Sequence, residues 1–230
     1  MFQDRRDAGR RLARKLGSYG GSDCVVVGLP RGGVVIAEEI AAALGASLDV
    51  VVVRKLRSPD DPEHGIGALV AGGPPVVALD EGAIETLKVS PDYVLDEITA
   101  QLAEARLRET VLREGGRPVS LAGRTVIVVD DGIATGNTMN VALRAVRRTS
   151  PRRVVLAVPV GSIDALATLR PLVDEVVCVR LTRRLGDVGA FYREFTQASD
   201  GEASALLARA RVREACGAAA QAAAAPPANR

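Results

Sequence analysis

Short runs of Val, Ile and Leu without polar alternation most constrain the fold of this chain. They read "CVVVGL" from Cys24, "LDVVVVRKL" from Leu48, "RTVIVV" from Arg124, "RRVVLAVPV" from Arg152 and "VDEVVCVRL" from Val173. Such runs are typical of parallel strands that are buried on both faces, because half-exposed strands alternate apolar and polar residues. Segments with helical spacing of apolar residues lie between the runs. The sequence therefore predicts an α/β fold with a mainly parallel, twisted sheet flanked by helices.

The length of 230 residues suits a single domain, which we place over residues 1–214. Residues 215–230, "ACGAAAQAAAAPPANR", form a low-complexity tail that we expect to be disordered. "IGALVAGG" and "PPVVAL" predict two short strands that could form a hairpin. Ser90 and Pro91 predict the start of a long helix that reaches to about Glu114, because Ser caps helices and Pro suits their first position.

Charge and cysteine content exclude several classes of partner. The formal net charge is +2, so we expect neither nucleic acid nor an anionic membrane as a partner. No apolar run reaches the length of about 18 residues that a membrane span needs. Cys24, Cys178 and Cys216 form no CxxC pair, and we interpret them as free thiols of a protein in the reducing cytoplasm.

Two adjacent carboxylates, Asp130 and Asp131, follow the run "RTVIVV". They are expected at the carboxyl end of a buried strand, where open α/β sheets bind ligands. The turn after them contains Thr135 and Gly136 and leads directly into a helix, whose first amides favour an anion. Two carboxylates can accept hydrogen bonds from a vicinal diol. A diol beside a phosphate describes a ribose 5-phosphate.

The stretch "VIVVDDGIATGNTM" resembles the 5-phosphoribosyl-1-pyrophosphate (PRPP) signature of type I phosphoribosyltransferases. The similarity continues through "FQDRRDAGRRLARKL", "PRGG", "VVRKL" and "GAFYREFTQ", over roughly residues 2–212. It implies the type I phosphoribosyltransferase fold with a small variable hood, drawn from residues 57–90, from residues 180–200 or from both. It also implies that the ribose 5-phosphate of PRPP contacts a continuous set of residues: Asp130, Asp131, Gly132, Ile133, Ala134, Thr135, Gly136, Asn137 and Thr138.

The stretch "GLPRGGVVIAEE" resembles the pyrophosphate loop of the same family. The resemblance assigns pyrophosphate binding to Pro30, Arg31, Gly32 and Gly33, and it implies a cis peptide bond between Pro30 and Arg31. Arg54 and Lys55 are expected at the end of another strand, within reach of the pyrophosphate. The polar residues that follow them, 57–65, occupy the place of the flexible catalytic loop of the family.

The acceptor of the phosphoribosyl group is less constrained by the sequence. In 6-oxopurine phosphoribosyltransferases an Asp precedes the T-G of the PRPP loop and acts as a base, whereas this chain has Ala134 there. The resemblance therefore weighs against 6-oxopurine acceptors and leaves adenine open. We take Ile133, Phe191 and Tyr192 as candidate acceptor contacts, since an aromatic ring can stack on a base. Phe195 is interpreted as a core residue.

The resemblance implies transfer of the 5-phosphoribosyl group of PRPP to a nitrogenous acceptor with release of pyrophosphate. Asp130, Asp131, Arg54 and Lys55 are the candidate catalytic residues. Mg²⁺ is expected as the cofactor, held through PRPP near Asp130 and Asp131, and a homodimer is the common assembly by analogy. The alternative is a non-catalytic module that senses PRPP or a nucleotide, because fold and motif alone do not distinguish the two.

Overall fold

We describe the chain from a computed structural model, which describes residues 1–21, 23–59, 65–72, 75–183 and 185–224, and side chains up to residue 217. The strands in these ranges are β1 (Cys24–Gly28), β2 (Ser47–Val50), β3 (Val53–Arg57), β4 (Gly65–Val70), β5 (Val76–Leu79), β6 (Thr125–Val129), β7 (Arg153–Ser162) and β8 (Glu175–Thr182). The helices are α1 (Arg5–Lys15), α2 (Gly32–Leu44), α3 (Glu81–Thr86), α4 (Pro91–Leu112), α5 (Asn137–Arg148), α6 (Ile163–Leu169) and α7 (Asp200–Ala224).

The main sheet is parallel and has the strand order β2-β1-β6-β7-β8, which confirms the predicted fold class. Successive residues of its strands point to opposite faces. Val26 and Ile127 belong to the core shared with α1, α2 and α7. Val25 and Val126 belong to the core shared with α5 and α6. Both faces are thus covered by helices, which explains why the strands need almost no polar residues.

A second, antiparallel sheet has the order β3-β4-β5. The sequence predicted one strand through "LDVVVVRKL", and this was wrong, because the chain leaves the main sheet after Val50 and β3 pairs with β4 instead. The physical reason lies in the alternation of β3: Leu56 is buried, whereas Lys55 and Arg57 are exposed. A strand with this pattern cannot be buried on both faces.

The small sheet packs against helices on its two faces. Ala68 and Val70 contact Val141 and Ala145 of α5. Residues of the other face, including Leu56, join the core that contains α4 residues. The predicted hairpin of β4 and β5 is confirmed, and residues 60–64 of the predicted flexible loop lie outside the described residues.

Two helix ends test the local predictions. The Ser90 side chain accepts a hydrogen bond from the Tyr93 amide at 3.3 Å, and Pro91 opens α4 as predicted. The last helix, α7, extends to Ala224, ten residues beyond the Glu214 end of the single domain predicted from the sequence. Alanine has the highest intrinsic helix propensity, so the Ala-rich segment continues the helix. The prediction of disorder for 225–230 falls outside the described residues.

Candidate functional site

Two loops meet at the carboxyl edge of the main sheet, because β1 and β6 are adjacent and parallel. Gly28 and Val129 end these strands in register, and the Leu29 amide donates to the Val129 carbonyl at 2.9 Å. A Cβ added to Gly33 would lie 2.7 Å from the Val129 oxygen and 3.0 Å from the Asp130 Cα. Only glycine allows this approach, so the segment 30–33 lies directly against the aspartate pair.

The segment 30–33 joins β1 to α2, which begins at Gly32. The peptide bond between Pro30 and Arg31 is cis, as the resemblance implied. The Arg31 side chain is 38% exposed at the helix start. Amides at the start of a helix lack intrahelical partners and favour an anion. The structure thus brings a cation and a helix N-terminus together at this point.

The Asp131 carboxylate is held by Arg5, which lies at the start of α1. Arg5 Nε donates to Asp131 Oδ2 at 2.9 Å, and Arg5 Nη2 lies 2.8 Å from the same oxygen. The third guanidinium nitrogen, Nη1, donates to the Thr196 carbonyl at 2.7 Å, and the group lies 3.9 Å from the centre of the Phe195 ring. Arg5 was not a predicted site residue, because nothing in the sequence distinguishes it from the other arginines of α1.

Asp130 is the neighbouring carboxylate at the end of β6. Its Oδ1 accepts a hydrogen bond from the Asp131 amide at 2.8 Å. Burial, followed by the charge of Asp131, raises the pKa of Asp130 well above its usual value, while the Asp131 amide and Arg5 oppose the rise. Among the described residues, neither Asp130 Oδ2 nor Asp131 Oδ1 has a hydrogen-bond donor. Each aspartate therefore presents one carboxylate oxygen that is available to a ligand.

The turn after the aspartates ends in the N-terminus of α5. Gly136 adopts φ +83°, a left-handed conformation that favours glycine, and no side chain caps the first amides of α5. Thr135 and Asn137 are exposed and Thr138 is half-buried. Ile133 differs from these residues, since it is 3% exposed and its backbone pairs with Val160 and Ser162 of β7. Its side chain packs in the core, so we remove Ile133 from the candidate acceptor contacts.

Arg54 and Lys55 lie on β3, so the prediction that they end a strand of the main sheet was wrong. Arg54 faces α4, where its Nε donates to Gln101 Oε1 at 2.9 Å and its Nη2 lies 3.8 Å from Glu104 Oε2. Lys55 points to the opposite side and lines a cavity of about 660 Å³ together with Asn137 and Thr138. The structure thus places Lys55 near the start of α5 and Arg54 against another helix.

Two aromatic residues of the predicted hood, Tyr192 and Phe195, have the reverse of their expected exposure. Tyr192 is 5% exposed, packs against Phe2 and donates its hydroxyl proton to the Asp131 carbonyl at 2.6 Å. Burial, reinforced by Asp131, raises the pKa of Tyr192, so the hydroxyl keeps its proton. Phe191 is half-buried against the core, and Phe195, which was interpreted as a core residue, is 36% exposed. Tyr192 therefore holds the backbone of Asp131 in place, and its buried ring is not available for stacking on an acceptor.

Phe195 belongs to a second cavity of about 490 Å³ that adjoins the segment 30–33. The cavity is lined by Arg5, Pro30, Arg31, Gly32, Arg108, Asp131, Phe195, Gln197 and Ala198. Arg108 comes from α4, which is distant in sequence from every motif, and the sequence carried no signal for it. Phe195, Gln197 and Ala198 thus line the same cavity as the two residues of the cis peptide bond, Pro30 and Arg31.

Fold and site together define an α/β protein whose parallel sheet carries two neighbouring loops, residues 30–33 and the loop after β6, at its carboxyl edge. The family model described as phosphoribosyl transferase domain matches residues 3–182, and the chain belongs to this family.

Relatives and solved structures agree with this assignment. A protein of Mycobacterium tuberculosis H37Rv named "Putative phosphoribosyl transferase Rv0571c" is 42% identical over 227 residues, which are 99% of this chain and 51% of the relative. The corresponding protein of strain CDC 1551, MT0597, gives the same values. The crystal structure of TT1426 from Thermus thermophilus is 41% identical, with a TM-score of 0.76 over 90% of this chain and 98% of that one. The chain spans about half the length of the curated relatives it matches.

Within the described part of the chain, none of the helices combines the length and the apolar character that crossing a membrane requires.

Proposed function

We propose that this chain binds PRPP and transfers its 5-phosphoribosyl group to a nitrogenous acceptor. In this reaction the bond between ribose C1 and the pyrophosphate oxygen breaks, and pyrophosphate leaves with the bonding electrons. A bond forms between C1 and the acceptor nitrogen, which gives up its proton. The observation that carries the proposal is the aspartate pair, which lies against the first residues of α2 and is followed by the loop that leads into the uncapped N-terminus of α5.

The two open oxygens suit the ribose hydroxyls. Arg5 occupies only Oδ2 of Asp131, and the Asp131 amide occupies only Oδ1 of Asp130. The remaining oxygens can each accept a hydrogen bond from one hydroxyl of a vicinal diol. Carboxylates near C1 also stabilise the positive charge that develops on the ribose ring when pyrophosphate leaves.

The two helix N-termini suit the two phosphate ends of PRPP. The uncapped amides of α5, with the hydroxyls of Thr135 and Thr138, are proposed to bind the 5-phosphate. Arg31 and the amides of Gly32 and Gly33 are proposed to bind the pyrophosphate. Lys55 lines the cavity beside Asn137 and Thr138, so we assign it to the 5-phosphate side of the ligand.

The aspartate pair also fits the expected cofactor, Mg²⁺. This cation is commonly bound by one or two carboxylates and completes its shell with water and substrate phosphate oxygens. Asp130 and Asp131 provide that number of carboxylates, and the described residues contain no cluster of three or more metal-binding side chains. Bound through PRPP near this pair, Mg²⁺ would neutralise charge on the leaving pyrophosphate.

Binding of PRPP is the first test of the proposal. Calorimetric titration of PRPP in the presence of Mg²⁺ should give a binding isotherm that EDTA weakens. Asp131→Asn should reduce the affinity about 10- to 100-fold, because hydrogen bonds to charged groups contribute about 1.5–3 kcal/mol. Asp164→Asn, which changes an exposed carboxylate on α6, is the matched control and should bind as the wild type does. Equal affinities of all three proteins would contradict the assignment of the ribose to the aspartates.

Release of pyrophosphate distinguishes an enzyme from a sensor. We expect Mg²⁺- and PRPP-dependent release with a nitrogenous base that is not a 6-oxopurine, since Ala134 offers no group that can accept a proton. Adenine should therefore be a better acceptor than hypoxanthine or guanine in a panel of bases. PRPP binding without release for any base would favour the sensing module, and efficient turnover of hypoxanthine would contradict the acceptor assignment.

A further inference from the structure

Three arginines line the cavity of about 490 Å³ beside the segment 30–33, and they are not equally paired. Arg5 is fully engaged, because all three of its guanidinium nitrogens have acceptors on Asp131 or Thr196. Arg31 and Arg108 share one carboxylate oxygen, Oδ1 of Asp200. Arg108 Nη2 lies 2.8 Å from this oxygen, whereas Arg31 Nε lies 3.9 Å from it.

The Arg108 guanidinium has a buried donor that nothing satisfies. Its Nε is shielded from solvent and has no hydrogen-bond partner among the described residues. A buried donor without a partner costs about 1–3 kcal/mol. The side chain as a whole is 27% exposed, so Arg108 could turn outward into water and avoid this cost. It instead lines the cavity that contains Arg31 and Gly32.

The charges around this part of the cavity do not balance. Arg31 and Arg108 contribute two positive charges, and Asp200 contributes one negative charge. Asp200 is 47% exposed, at the first residue of α7. An exposed pair of this kind contributes only about 0–1 kcal/mol, so an anionic ligand can displace the carboxylate. Guanidinium groups bind phosphate oxygens through two parallel hydrogen bonds. Because the Nε of Arg108 has no partner among the described residues, turning it toward a ligand in the cavity would break no hydrogen bond at that atom.

We infer that Arg108 is a pyrophosphate-binding residue, which acts together with Arg31 on the same ligand. The ion pair between Asp200 and the Arg108 guanidinium breaks when pyrophosphate binds, and the phosphate oxygens take the place of the carboxylate. This inference rests on the proposed function, since it assigns one further ligand contact to the same site. It also explains why α4, which carries none of the recognised motifs, contributes to the cavity.

Arg108→Gln and Arg106→Gln form a matched pair of variants on α4, because Arg106 is exposed and does not line the cavity. The probes are inorganic pyrophosphate, PRPP and ribose 5-phosphate, each titrated by calorimetry with Mg²⁺ present. Arg108→Gln should weaken pyrophosphate and PRPP binding about 10- to 100-fold and leave ribose 5-phosphate binding unchanged. Arg106→Gln should bind all three probes as the wild type does. Asp200→Asn should tighten pyrophosphate binding, which a purely structural ion pair would not do.

The outcomes separate this inference from the proposed function. Unchanged pyrophosphate affinity in Arg108→Gln overturns the inference, and so does an equal loss for ribose 5-phosphate, which would indicate a structural role. A wild-type protein that binds no pyrophosphate also overturns it. Binding of pyrophosphate that depends on Arg108, without any binding of ribose 5-phosphate or PRPP, would support the inference and count against the proposed function. Melting temperatures of the variants verify that each is folded. If Arg108→Gln does not fold, the pyrophosphate affinity of Asp200→Asn provides the test.

Discussion

Replacement of Asp130 by Asn is expected to raise the melting temperature of the ligand-free protein and to weaken PRPP binding about 10- to 100-fold. Burial and the Asp131 charge raise the pKa of Asp130, so its neutral form is the one that the folded state favours. That contribution to stability is complete below the unfolded pKa, about 3.9, and is lost as the pH rises through the folded pKa. Asn stays neutral at every pH and retains an oxygen that can accept from the Asp131 amide.

The gain in melting temperature should therefore grow as the pH is raised from about 4 towards neutrality. Thermal unfolding of wild type and Asp130→Asn across this range, without ligand, measures it. Asp164→Asn again serves as the control, since its carboxylate is exposed and its removal should leave the pH dependence unchanged. A variant that is less stable than the wild type at neutral pH would show that the ionised carboxylate supports the fold, against our expectation.

Replacement of Arg113 by Met is expected to lower the free energy of unfolding by about 3–5 kcal/mol. Arg113 and its partner Asp49 have side chains that are 9% and 6% exposed, and their charged atoms lie 2.7 Å apart. The guanidinium also contacts Glu109 Oε2 at 3.2 Å and donates to the Val50 carbonyl at 2.9 Å. Its removal leaves two carboxylates without their cation, and such uncompensated buried charge is strongly destabilising.

Urea unfolding of Arg113→Met, compared with Arg117→Met, measures this effect. Arg117 lies four residues further along the chain and is exposed, so its replacement should change the free energy of unfolding by less than about 0.5 kcal/mol. A loss below about 1 kcal/mol for Arg113→Met would contradict the expectation, because it would place the ion pair in the same energy range as exposed pairs.

The main sheet could be predicted because several of its strands are uninterrupted runs of apolar residues. β1, β6 and β7 consist largely of buried Val, and each is followed by a helical segment, so only a doubly covered parallel sheet accommodates them. The position of Asp130 and Asp131 at the strand end followed from the same pattern. The juxtaposition of the segment 30–33 with the aspartates requires the adjacency of β1 and β6, which the sequence analysis did not predict.

Other features depend on contacts between distant segments, which the sequence does not encode locally. The break between β2 and β3 occurs within four consecutive valines, and only the pairing of β3 with β4 locates it. Arg5 and Arg108 reach the site from helices that contain other arginines. No local sequence pattern distinguishes the arginine that enters the site from the others. Hydropathy alone favours burial of Phe195 over Tyr192, so their reversed positions depend on the path of the chain after β8 and on the hydrogen bond from the Tyr192 hydroxyl to the Asp131 carbonyl.

The amino terminus of this chain forms part of the wall of the site. The Phe2 side chain is fully buried, its amide donates to Phe191 and its carbonyl accepts from Arg193, and Arg5 follows three residues later on Asp131. A tag fused directly before Met1 would therefore be attached within a few residues of the Arg5–Asp131 ion pair, and we expect it to change ligand affinity. α7 begins beside the cavity and its 25 residues extend about 36 Å, at about 1.5 Å per residue. The far end of α7, at Ala224, is accordingly a better attachment point for surface immobilisation in the binding experiments than the start of α1.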